Sequence, residues 1–300
     1  MFSIFAFQKK NDMALDDLES KNKRLEQYFE KTDPPLEQLS PNLIRVLHLD
    51  PFSPLSPLQL RPGLADEAVA HLPLVQLAQK MLAAIKTEQP LKLTSKGNLP
   101  RKLVHQLYDL RFFPDKYVDN GTIKLQGEQD FWQLNIAHIL CQQVRLINKK
   151  NEKASLSKKG EELLYKPAEL YTELLKIYTQ KFNWAYPERW GYGVEQTGQL
   201  GWALVFYEFL RFGEQEKSNK YYEALYLRLF PDLVKKYPLT TYGTPEDKMS
   251  SDFNTRFFYR FCSFFGLKEI TREIKGKLNT TEEYFLRRSA LAQQVFQLKG

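Results

Sequence analysis

Only two cysteines, Cys141 and Cys262, and four histidines, His48, His71, His105 and His138, occur in 300 residues. Neither cysteine has a second Cys or a His at metal-site spacing, and without a CxxC pair there is no zinc site of the usual thiolate kind. Each lies in an apolar run with helical spacing and reads as a reduced core thiol. Two thiols are few for a secreted chain of this size, which points to a reducing cytoplasm. Long hydrophobic runs are also missing. No stretch of about eighteen apolar residues occurs, which excludes a membrane-spanning helix. The opening Met1-Phe-Ser-Ile-Phe-Ala-Phe is too short for a secretory leader and is followed by the acidic stretch Asp16–Glu19, so export is not expected.

Catalytic signatures are equally scarce. The sequence holds no GxxxxGK[ST], GxSxG, HExxH or GxGxxG, so the common phosphate-binding, acyl-transfer and zinc-hydrolase patterns are absent. The histidines are scattered, and His138 sits on an apolar helical stretch, as a hydrogen-bonded core residue would. The acidic pairs Glu161-Glu162 and Glu282-Glu283 each follow a Ser or Thr placed to cap a helix, where negative charge offsets the helix dipole. Acid–base chemistry is not needed to explain them.

What the chain does have is aromatic bulk and a mild positive charge. Its 43% apolar content suffices for a core, and 21 Phe and 16 Tyr imply packing by large rings. The formal charge is +7 and the pI about 9.1, a modest tilt toward polyanions. Proline is unevenly placed, with seven of sixteen between Pro34 and Pro62.

Along the chain, residues 1–64 read as an amphipathic helix over Leu15–Lys31 followed by a proline-rich extended wrap, broken by a turn around Asn42–His48. Residues 65–165 read as helices from Pro73 to Lys86, Arg101 to Leu110 and Phe131 to Leu146, closing in a hairpin with the basic tip Lys149–Lys153 and a helix capped by Ser157. Residues 166–250 read as an aromatic helical bundle with a corner at Trp190–Gly193. Residues 251–300 form a last unit.

That last unit repeats the earlier one. Asp130-Phe131 and Asp252-Phe253 each open a helix, and an offset of 122 residues lays Leu156-Ser157 on Leu278-Asn279 and the basic tip on Thr271–Lys275. Each copy then reads as helix, hairpin with a charged tip, and helix, with Ser157 or Thr280 starting the final helix. This is the second half of a winged-helix domain, in which the first helix enters a groove and the hairpin tip reaches a phosphate. The fold class expected is mainly α, with local α+β: a helical bundle carrying two winged-helix-like units. In the first copy Gln133, Asn135, Gln142, Gln143 and Arg145 are the expected outward positions, nearly without charge. The second copy, with Asn254, Arg256, Tyr259 and Arg260 outward, is the better reader of nucleic acid.

The runs Leu91-Lys-Leu-Thr-Ser-Lys-Gly-Asn-Leu-Pro-Arg-Lys-Leu-Val104, Leu156-Ser-Lys-Lys-Gly-Glu-Glu-Leu-Leu164 and Phe182-Asn-Trp-Ala-Tyr186 resemble a pattern found in uncharacterised bacterial proteins, some of them associated with SEC-C zinc motifs. The resemblance spans roughly the middle third of the chain and implies a bacterial origin, with no assigned activity. The cysteines of a SEC-C motif are missing here, so no zinc ligand carries over.

The sequence therefore points to a cytoplasmic, non-catalytic protein without cofactor, metal or membrane contact. Nucleic acid is the first candidate partner, through Arg256, Arg260, Lys149, Lys150, Lys153 and Lys275. The alternative is a protein-interaction or scaffold module, dimerising through the same units, and an enzyme of unknown type comes third.

Overall fold

A proline at the start of a helix sacrifices no hydrogen bond, and five helices of this chain begin at one: Pro41, Pro73, Pro167, Pro231 and Pro245. The computed structural model describes Leu36 and residues 39–188, 193–239, 243–275 and 281–299. The helix expected over Leu15–Lys31, most of the Trp190–Gly193 corner and the tip of the second hairpin lie outside the described residues. Over the described residues the protein is mainly α-helical with three small antiparallel sheets.

The proline-rich segment is more regular than its composition suggests. Ser40 caps helix α1 (Pro41–Leu49), which buries Ile44 and Leu47. The turn expected around Asn42–His48 is thus a helix, because Pro41 occupies the one helical position that suits it. Strand β1 (Leu58–Leu60) then pairs with β8 (Phe296–Leu298), tying the wrap to the far end of the chain.

The first half runs α2 (Asp66–Val69), α3 (Pro73–Glu88), β2 (Leu91–Lys92), α4 (Arg101–Asp109), α5 (Lys116–Asp119), α6 (Trp132–Gln143), β3 (Ile147–Lys150), β4 (Lys153–Leu156), α7 (Lys158–Leu163) and α8 (Pro167–Gln180). Its sheet has the order β2-β4-β3. The second half runs α9 (Trp202–Arg211), β5 (Lys217–Ser218), α10 (Asn219–Leu229), α11 (Pro231–Val234) and α12 (Pro245–Phe253), which continues as a π-helix over Asn254–Cys262. Strands β6 (Lys268–Lys275) and β7 (Thr281–Arg288), helix α13 (Ala290–Val295) and β8 complete it. Its sheet has the order β5-β7-β6. In each half a long helix, a two-residue strand and three further helices, the middle one a single turn, precede a hairpin, and the short strand adds to the hairpin's second strand. Helices α9 and α10, which the sequence assigns to a separate bundle, belong to this second copy.

The joints of the two copies match bond for bond. Leu146 N–H donates to the Cys141 carbonyl at 2.9 Å, and Leu267 N–H to that of Cys262 at 2.8 Å, each closing its helix in a Schellman turn. The left-handed residue this turn requires is Arg145 (φ 64°) in one copy and Gly266 (φ 62°) in the other. Past the hairpin, Ser157 N–H donates to Leu146 O at 2.9 Å and Ser289 N–H to Leu267 O at 3.1 Å. Their hydroxyls donate to Arg145 O (2.8 Å) and Gly266 O (2.6 Å), and accept from the amides of Gly160 and Ala292.

The repeat thus extends beyond the segment recognised in sequence, and its spacing changes within it. Leu146 and Leu267 are 121 residues apart, Ser157 and Ser289 are 132 apart, and the eleven extra residues lengthen the second hairpin. Thr271–Lys275, expected as a tip, is strand, and the cap of the last helix is Ser289 rather than Thr280. The physical reason is a period of two: Tyr284 and Leu286 are buried while Phe285 between them is half-buried and Arg287 beyond them is exposed, so Thr281–Arg288 extends as a strand. Glu283 therefore caps no helix dipole; it accepts a hydrogen bond from Ser218.

The halves meet through aromatic side chains. Trp132 and Phe113 contact Phe264 with ring centroids 5.5 and 5.9 Å apart, and Tyr171 donates to the Phe265 carbonyl at 2.9 Å. Tyr178, Trp184, Trp202 and Phe206 surround Phe261. Edge-to-face and offset arrangements predominate, as ring quadrupoles favour.

Candidate functional site

Antiparallel neighbours directly opposite one another share a face of the sheet, with Cβ atoms about 5 Å apart. In the first sheet Lys92 lies opposite Lys153, and Lys153 opposite Lys150, so three lysines stand side by side across three strands. All three are exposed. No described carboxylate is within ion-pair distance of any of them. Like charges placed opposite one another destabilise a sheet, so packing and pairing do not account for this row.

Two further lysines border it. Lys149 donates from Nζ to the Gly97 carbonyl at 3.1 Å, which holds it against the Thr94–Asn98 turn, and Lys96 is exposed on that turn. The turn is closed by Gly97 N–H to Thr94 O (2.7 Å) and by Asn98 N–H to the Thr94 hydroxyl (3.0 Å). Gly97 has φ 77°, and a Cβ there would overlap Lys149 Nζ, so the glycine permits both the turn and the docked lysine. Lys149, Lys150 and Lys153 were legible as a basic tip. Lys92 and Lys96 were not singled out, because what joins them to the tip is the pairing of β2 with a strand some sixty residues later.

The helices preceding the hairpins are interior elements. Seven of the twelve residues of α6 are buried, Asn135 among them, and Gln133 and Gln142 are half-buried. Gln143 and Arg145, at the end beside the hairpin, are exposed. At the other end Trp132 is packed on Phe264. Such a helix has no free face to lay in a groove.

The second copy departs further from expectation. Arg256 has no exposed surface. Its guanidinium donates to both Glu188 oxygens at 2.9 and 2.5 Å and to the carbonyls of Val194 (2.6 Å) and Thr197 (3.0 Å), with Asp252 at 3.6 Å. Arg260 donates to Glu188 at 2.8 Å and to Trp184 O at 3.1 Å, and its guanidinium lies over the Trp132 ring. Both arginines face inward as pins between the π-helix and Trp184, Glu188, Val194 and Thr197, and neither is placed to meet a phosphate. Burial pushes the Glu188 carboxyl up, but the two guanidinium groups outweigh it and hold it below the ordinary range. Partial burial raises the Asp252 carboxyl even though Tyr237 donates to it at 2.7 Å.

Lys275 is exposed on β6 with its Nζ 2.7 Å from Glu273. The same pairing runs along this hairpin: Arg287 with Glu269 (2.9 Å), Arg272 with Glu216 (3.4 Å) and Arg288 with Glu214 (2.9 Å).

Two other polar clusters have structural roles. Glu128, buried under Leu99, accepts from Leu99 N–H (2.7 Å) and Asn135 (2.8 Å) and lies 2.9 Å from His138 Nδ1, fastening the α4–α6 connection onto α6. A cleft of about 530 Å³ lies beside α1, the end of α8 and the start of α9, lined by His48, Lys181, Gln196, Gln199 and Trp202 among others. Burial lowers the His48 imidazole to about 4, and among the described residues no acidic or nucleophilic Cys or Ser side chain lines the cleft to work with it. Among the described residues no cluster of three or more His, Cys, Asp or Glu is placed to hold a metal, and no helix is long and apolar enough to cross a membrane.

Comparison with known proteins bears on the first half. No curated protein and no solved structure matches the chain. Residues 70–169, from the approach to α3 through the first hairpin to the start of α8, match the model of the Y4jL N-terminal domain family.

Proposed function

We propose that the protein is a non-catalytic nucleic-acid-binding protein that holds the phosphate backbone on the first hairpin. We read each half as a variant of the winged-helix order, helix, short strand, helix, helix, hairpin, with a one-turn helix inserted before the last helix. In the first half the helix that would read bases is largely buried, and in the second its two arginines are taken up inside the protein, so we take the wing as the element left to touch nucleic acid. Contacts of that kind fix a protein on a strand without reading its sequence. The observation that carries the reading is the row Lys92, Lys153 and Lys150, with Lys96 and Lys149 beside it, exposed and without carboxylate partners. An arrangement that costs sheet stability fits a surface whose counter-charge arrives with a ligand.

The test is a salt titration of binding to a mixed-sequence duplex and to single strands. Three to five phosphate contacts give a slope of log K against log salt of about −3 to −4.5 on duplex DNA. Replacing Lys92, Lys150 and Lys153 together with Ala should reduce the slope by about one per lysine. A slope near zero in the wild-type protein, or one unchanged in the triple variant, would remove the proposal.

A further inference from the structure

The second hairpin ends its sheet with an unpaired strand. β6 lies outside β7 in the order β5-β7-β6, eight residues long, with residues 270–275 all exposed. Among the described residues no other strand bonds to its outer edge. Exposed edges of this length pair with other chains unless charge or irregularity prevents it. β6 carries both: its sequence, Lys268-Glu-Ile-Thr-Arg-Glu-Ile-Lys275, is dense in charge, and a bulge falls between Ile270 and Arg272.

Those two features are complementary to the same strand reversed. The register against β7 sets Lys268, Ile270 and Glu273 opposite Arg288, Leu286 and Tyr284, and Glu269 and Arg272 opposite Arg287 and Phe285. The first group therefore shares one face and the second group the other, with Thr271 as the extra residue that shifts the alternation. An antiparallel copy centred between Ile270 and Thr271 brings Lys268 against Glu273 and Glu269 against Arg272. Both pairs join residues of the same face and opposite charge, twice over by symmetry. Centring the copy one residue away or more loses this match: setting Ile270 against Ile274, for example, opposes residues of different faces. Without the bulge the charge-matched register would itself be forbidden by the alternation of the pleat.

We propose that two copies of the chain associate through β6, antiparallel over residues 268–273, to make a six-stranded sheet about a two-fold axis. The charges that would repel a foreign strand are matched by the protein's own. Glu269 already has Arg287 on one side at 2.9 Å, and the second copy places Arg272 on the other. Ile270, 38% exposed, comes to lie opposite Thr271 of the second copy. The association is independent of the lysine row on the first hairpin.

The experiment is sedimentation equilibrium of the full chain in low salt, with two charge-reversal variants, Glu269→Arg and Arg272→Glu. The wild-type protein should be a dimer at the upper end of the concentration series. Each variant alone opposes like charges across the axis and should associate at least roughly tenfold more weakly. An equimolar mixture of the two restores both opposite-charge pairs and should dimerise again. Circular dichroism of each variant checks that the fold persists, and recovery in the mixture excludes misfolding as the cause of the loss. A wild-type protein that stays monomeric, variants that dimerise as well as wild type, or a mixture that stays monomeric would each overturn the proposal.

Discussion

The two hairpins occupy equivalent places in the repeat but treat charge in opposite ways. On the first, lysines face lysines across three strands. On the second, cations meet carboxylates at Glu269, Glu273, Glu214 and Glu216. The preceding helices differ too: the second buries Arg256 whole, while the first has at its centre a neutral amide, Asn135, and His138 bound to Glu128. The contrast teaches that positive charge in a sequence carries no direction. The more basic helix, around Arg256 and Arg260, spends its charge inside the protein, and the half whose corresponding helix is nearly uncharged leaves the lysines of its hairpin uncompensated.

The largest effect should separate buried from exposed cations. Arg256→Ala leaves the Val194 and Thr197 carbonyls without their donor and Glu188 with Arg260 alone, and should cost about 3–5 kcal/mol, measured by urea unfolding. Lys150→Ala should change stability by less than about 0.5 kcal/mol. Equal effects would mean that Arg256 is not the pin described above.

A second prediction concerns pH. Glu208 on α9 is fully buried, and one of its oxygens lacks a partner. Burial raises its carboxyl to about 6 in spite of Arg211. With a folded value above the unfolded one, the folded state binds the extra proton between about pH 4.5 and 6. The contribution of this group to stability is therefore lost as pH rises through that window. Glu208→Gln should flatten this part of the profile and raise stability at pH 7 by up to about 2 kcal/mol. An unchanged slope would show that the carboxyl is solvated.

Lys153→Glu sharpens the comparison from the other side. It turns two like-charge pairs into opposite ones and should stabilise the protein by about 1 kcal/mol while abolishing backbone binding. Arg145→Gly should give the smallest gain, about 0.5–1 kcal/mol, because φ 64° suits glycine, as the equivalent Gly266 shows. Thermal unfolding checks both.

Much of the first half was legible because its signals are local. Pro73 and Ser157 mark helix starts, Lys149–Lys153 a hairpin, and Cys141 and Cys262 apolar helices, and each element forms where its residues indicate. The repeat was visible from Asp130 and Asp252, but an ungapped offset hid the eleven residues added to the second hairpin, and strand residues such as Thr271 were assigned to a tip. What could not be read depends on distant partners. β2 joins β4 across some sixty residues, which creates the lysine row, and Arg256 is taken up by Glu188 and the carbonyls of Val194 and Thr197. Helical periodicity placed Arg256 on a face, but only the fold decides which face is covered.

The most direct test of the division between hairpins compares two variants in one salt-titrated binding assay with duplex DNA. One carries Lys92→Ala, Lys150→Ala and Lys153→Ala; the other carries Lys275→Ala and Arg287→Ala, which leaves the charge pairs proposed for self-association intact. The account predicts that the first loses affinity and most of the salt slope while the second binds as the wild-type protein does. Loss in the second variant with binding kept in the first would contradict it.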